Sequence, residues 1–117
     1  MTDYYYIGSD KALHLVEGRL DAWNTENIEE FIHEFDVPIQ LEMYSPEKPQ
    51  ELFQLYLFVK YHFDRYPTST IQIANYLNSN IEECHIHRKK TLLLRDLREP
   101  EQLLLETGEL VTIKHTK

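Results

Sequence analysis

The sequence predicts an α+β fold. It reads as a single globular domain over residues 1–117, with a mostly antiparallel sheet of about five strands covered by one long central helix plus two short helices. Three observations carry this. Several short segments alternate apolar and polar residues, the mark of strands with one wet face. One long segment between prolines is apolar most of the way round a helix, which suits the central helix covering the sheet. The length of 117 residues, with 42% hydrophobic and 27% charged side chains, suits one domain with a real core.

Tyr4–Gly8, YYYIG, is aromatic and β-branched and ends at Gly-Ser-Asp, so it reads as the first strand. Residues 10–25 carry scattered apolar side chains interrupted by Gly18 and give no clear element. Asn27–Phe35 reads as a short helix, because Ile28, Phe31, Ile32 and Phe35 fall on one stripe. Asn27 with Glu30 three residues later has the form of a capping box, and Pro38 stops continuation. Ile39–Tyr44 alternates cleanly, with Ile39, Leu41 and Met43 inward and Gln40, Glu42 and Tyr44 outward.

The central helix opens near Ser45-Pro46 or Pro49 and closes before Pro67. Its inner stripe is predicted as Leu52, Leu55, Tyr56, Val59, Phe63 and Tyr66. Thr70–Leu77 fits either period; its β-branched residues and the flanking turn formers favour a strand. A strand around Glu83–Arg88 follows, then a buried strand at Thr91–Leu97. Glu99-Pro100 starts a second short helix through Leu105, and Leu110–Thr116 alternates as a last strand with Val111, Ile113 and His115 on one face.

Function is less legible, and composition mainly excludes. There is one cysteine, Cys84, so no disulfide forms within the chain, which fits a reducing compartment. The first residues lack the basic and apolar regions of a signal peptide, and no apolar run is long enough for a bilayer, so the expected location is the cytoplasm. The three glycines are scattered and make no phosphate-binding loop. Serines 9, 45, 69 and 79 sit in no nucleophile elbow. Neither Asp64 near His62 nor Asp96 beside Arg95 has the spacing of an acid–base pair.

The stretch CHIHRKK, residues 84–90, draws attention first. On a strand, His85 and His87 share one face while Cys84 and Ile86 take the other. A His-x-His pair supplies two imidazoles to zinc or copper, and a site needs a third protein ligand. His115 fills that role if the last strand lies alongside, with Glu82 and Glu83 as substitutes. Against the metal reading stands an ordinary strand with two solvent-facing histidines. Cys84 as a nucleophile fails on the same alternation, since His85 points away from it.

The charge layout favours a binding role. The formal net charge is −8, yet residues 1–51 hold 12 acidic and 3 basic side chains, a net of −9, and residues 52–117 hold 8 acidic and 9 basic. Glu26, Glu30 and Glu34 line one side of the short helix, where like charges cost helix stability and suit a basic partner. Trp23, Tyr44 and Tyr5 are candidate interface anchors beside them. The basic cluster Arg88, Lys89, Lys90, Arg95 and Arg98 lacks interleaved aromatics and sits in an acidic chain, so nucleic acid is disfavoured against an edge guarded by charge.

The resulting expectation is a small acidic intracellular protein-binding module with a basic protein partner. Immunity proteins, antitoxins and other small inhibitors are similar in size and charge, though no stretch here carries a motif of theirs. The alternative is a metal-binding protein or metal-dependent enzyme built on His85, His87 and His115. A homodimer, with the tyrosine-rich first strand or Thr91–Leu97 pairing across a two-fold axis, is the third reading.

Overall fold

The structure, a computed structural model, describes residues 3–14, 20, 22–24, 35–77 and 86–115. Among these, six strands form one sheet: β1 (Asp3–Ser9), β2 (Trp23–Asn24), β3 (Ile39–Tyr44), β4 (Thr70–Leu77), β5 (Arg88–Leu93) and β6 (Glu109–Lys114). Their order across the sheet is β2-β3-β1-β4-β6-β5. Every pairing is antiparallel except the last, where β5 runs parallel to β6. The class is α+β as the sequence predicts. The expected short helix at Asn27–Phe35 lies outside the described residues except for Phe35.

The helix α1 (Pro49–Arg65) forms where the sequence places it. Pro49 occupies its first position, and the Glu51 carboxylate accepts the backbone N–H groups of Glu47 and Lys48, each at 3.0 Å. Its buried side chains are Leu52, Leu55, Phe58, Val59, His62 and Phe63. They pack on one face of the sheet, against Tyr5, Ile7, Leu41, Ile73, Val111 and Ile113. These sheet residues share a face because the register aligns them: Ile7 stands opposite Leu41 on one side and Ile73 on the other, and Ile73 opposite Val111.

The opposite face is also covered. Tyr6, Ala74, Tyr76 and Leu110 are buried there with Ile39, and Tyr4, Phe35 and Ile86 pack against them. The three consecutive tyrosines of β1 are therefore not split into one dry and one wet face. Tyr5 is buried under the helix, Tyr6 is buried on the far side, and Tyr4 is half-buried.

Gly8 occupies a place where no side chain fits. A Cβ there would lie 2.8 Å from the Pro38 carbonyl oxygen and 3.2 Å from Phe35 Cδ2. The same carbonyl accepts the Ser9 N–H at 3.1 Å, beside the irregular register at Ile7/Gly8. Close approach of backbone to backbone thus selects glycine.

Two expectations are corrected at the C-terminal end. The predicted buried strand Thr91–Leu97 is the tail of β5, which begins three residues earlier and ends at Leu93. A single 3-10 turn, Leu94–Asp96, follows, and of the predicted stretch 91–97 only Leu97 is fully buried. β5 is an edge strand with exposed residues from Arg88 to Thr91, because β6 covers one of its sides only. The second short helix is a 3-10 turn, Pro100–Leu103, which buries Leu103.

Candidate functional site

The described part of the acidic half presents an aromatic pair at the β1–β3 end of the sheet. Tyr4 and Tyr44 stand opposite each other in register, with ring centroids 5.2 Å apart. Tyr44 is 55% exposed, among the most exposed large apolar side chains described. Glu42, two residues back along β3, shares that face by alternation and is half-buried. The register pairs the backbone of Trp23 with Glu42, two residues from Tyr44 along β3.

Tyr5 does not join this surface, contrary to expectation. Its ring is fully buried in the main core, and its hydroxyl donates to the Leu103 carbonyl at 3.0 Å and accepts the Leu105 N–H at 2.7 Å. Tyr4 takes the place beside Tyr44 instead. Glu26, Glu30 and Glu34 lie outside the described residues.

The three histidines of the metal reading are placed as follows. His85 lies outside the described residues. His87 immediately precedes β5, and His115 immediately follows β6. The last strand does lie alongside, but parallel, with Arg88 opposite Glu109 and Leu93 opposite Lys114. His87 and His115 therefore sit at opposite ends of the pair, about 20 Å apart at a strand rise of ~3.3 Å per residue. The ring N–H at His87 Nε2 donates to the Thr107 carbonyl at 3.0 Å, and His115 packs its ring toward Phe63. Among the described residues, no group of three or more His, Cys, Asp or Glu side chains could hold a metal ion.

A buried polar cluster that sequence reasoning missed lies where β1 ends, α1 ends and β4 begins. His62, only 6% exposed, places Nε2 2.8 Å from Ser69 Oγ and 3.2 Å from Ser9 Oγ. The two hydroxyls are 2.9 Å apart. Ser69 donates to Asp10 Oδ1 at 2.9 Å, and the Thr70 N–H donates to the same oxygen. Burial works against the Asp10 carboxylate, but these hydrogen bonds outweigh it and hold its pKa below the ordinary 3.8. The His62 pKa is lowered from 6.5 by burial first, opposed by the charge of Asp10 and reinforced by His14.

The direction of the bonds decides what this cluster can do. An ionised carboxylate only accepts, so the Ser69 proton is committed to Asp10. His62 Nε2 must then donate to Ser69, the reverse of what a general base does to a nucleophilic serine. Both serines are also almost completely buried. The cluster is a structural fastening of three elements. His62 and Ser69 are 7 positions apart, but Ser9 and Asp10 join the cluster from 53 to 60 positions away, so no local motif could announce the whole of it.

No family model matches the chain, and no curated protein or solved structure matches it either. No described helix is long and apolar enough to cross a membrane.

Proposed function

We propose that this chain is a small acidic protein-binding module, acting in the cytoplasm, whose acidic and aromatic sheet end docks on a basic protein surface. An inhibitor of the immunity or antitoxin type has this profile of size and charge. The observation that carries the reading is the Tyr4–Tyr44 ring pair, with Tyr44 half exposed beside Glu42 and the Trp23 register position. Tyrosine and tryptophan anchor interfaces by presenting large, rigid, amphipathic area at little entropic cost. Residues 1–51, the part of the sequence to which both tyrosines belong, carry a net charge of −9. Such a field steers a basic partner and accelerates encounter.

The test is capture on the immobilised chain at low and high salt. The reading expects one basic partner recovered at low salt and released as salt rises. Tyr44→Ala and the double change Glu30→Lys with Glu34→Lys should each weaken recovery. Capture that neither variant alters rejects this surface as the docking site.

A further inference from the structure

The opposite edge of the same sheet has the opposite sign. β5 is the terminal strand of the sheet order, and among the described residues no strand pairs with its outer side. Its cations guard it against like-charged strands, but its backbone is regular. Six consecutive residues keep an unbroken register with β6, from Arg88 opposite Glu109 to Leu93 opposite Lys114, with neither bulge nor proline. An edge of that length turns a row of backbone N–H and C=O groups outward, a template for another strand.

The side chains along it specify the chemistry of that strand. Arg88, Lys89 and Lys90 are exposed, and the strand contains no acidic residue. Arg88 reaches the buried Glu109 carboxylate at 3.5 Å, while Lys89 and Lys90 have no ion pair among the described residues. Leu92 and Leu93 at the other end are half-buried, one toward each face. The edge therefore runs from three cations to two partly covered apolar side chains.

The geometry points to a second interaction surface, beyond the acidic docking face: the outer edge of β5 accepts an extended acidic segment of a partner protein by strand addition. Main-chain hydrogen bonds supply affinity in this mode, and alternate side chains supply specificity. Added antiparallel, the segment sets apolar residues near its start against Leu93 and Leu92, then acidic residues against Lys90, Lys89 and Arg88. A second copy of β5 fits less well, since paired antiparallel it would set Arg88, Lys89 and Lys90 against Leu93, Leu92 and Thr91 and give none of the cations an acidic partner.

The experiment uses the full chain and three labelled synthetic eight-residue peptides, followed by fluorescence anisotropy. The first carries two apolar residues, one neutral residue to stand opposite Thr91, and then three acidic ones. The second replaces the acids with their amides. The third keeps the acids but is N-methylated at alternate backbone nitrogens. The proposal expects the first to bind, and the amide form to bind about tenfold or more weakly. The N-methylated form should lose binding, because charge alone does not replace the ladder. Lys89→Glu with Lys90→Glu should weaken the first peptide by a similar factor, whereas Tyr44→Ala should leave it unchanged. Equal binding of the N-methylated peptide reduces the edge to a charged patch and overturns strand addition. Absence of binding by the acidic peptide overturns it as well. Sedimentation showing that β5 is occupied by a second copy, lost in the Lys89→Glu, Lys90→Glu variant, overturns the choice of occupant.

Discussion

The Tyr5 hydroxyl bridges the Leu103 carbonyl and the Leu105 N–H, so one side chain of the first strand fastens the segment that leads into the last. Both bonds are buried, and neither backbone group has water to fall back on. Tyr5→Phe keeps the ring and strands both partners. The expected loss is about 1–3 kcal/mol of unfolding free energy, read from urea denaturation. A variant as stable as the wild type shows that the segment re-pairs its backbone elsewhere.

The cluster around His62 makes stability depend on pH. The folded-state pKa of His62 lies below 6.5, so the unfolded chain binds its proton more readily. The neutral imidazole's contribution is therefore fully present above pH 6.5 and is lost as pH falls from there through the folded value. His62→Gln, which keeps a donor near Ser69, should flatten the urea midpoint across that window. Asp10 acts further into acid: its contribution stands above pH 3.8 and disappears as pH falls through its lowered folded value. A His62→Gln protein with the wild-type slope near neutrality contradicts this account.

Gly8→Ala tests the close approach of the Pro38 carbonyl to β1. The added methyl would meet that oxygen at 2.8 Å, and the obstacle is backbone rather than a side-chain tip. The strand or the loop must shift, at an expected cost of about 1–3 kcal/mol. Thermal melting compared with an Ala substitution at exposed Thr91 separates this from a general propensity effect.

Zinc provides a direct check on the histidines. With His87 and His115 at opposite ends of a parallel strand pair, adding zinc should leave the melting temperature unchanged, and His115→Ala should not alter metal content. A zinc-dependent rise in melting temperature that His115→Ala removes would show that the two ends meet.

What the sequence revealed and what it hid follow from the kind of signal each residue carries. Leu41 and Met43 alternate with polar neighbours and are buried under the helix while Tyr44 is exposed, whereas Ile39, expected on the same face, is buried in the cluster on the other side. The proline-bounded α1 is equally legible, because its period and its stops agree. Alternation holds at Tyr4–Tyr6, with Tyr5 on one face and Tyr4 and Tyr6 on the other, but both faces are covered there and wet no longer contrasts with dry. The leucines of residues 92–94 suggested burial, but an edge position is set by topology, which no local pattern encodes. His62 sits within the buried stripe of α1, where a polar residue looks like an error until Ser9, Ser69 and Asp10 arrive from other elements. Likewise, the His-x-His spacing says nothing of strand direction, and direction is what separates His87 from His115.

The acidic, aromatic end of the sheet is the proposed docking surface for a basic protein. Amide hydrogen exchange of the full chain, alone and with its captured partner, tests this most directly, since it reports which backbone groups the partner covers. The account predicts new protection along β3 at Glu42–Tyr44 and at its neighbour Tyr4, diminished in Tyr44→Ala. Protection confined to other elements, with β3 exchanging as in the free chain, would contradict it.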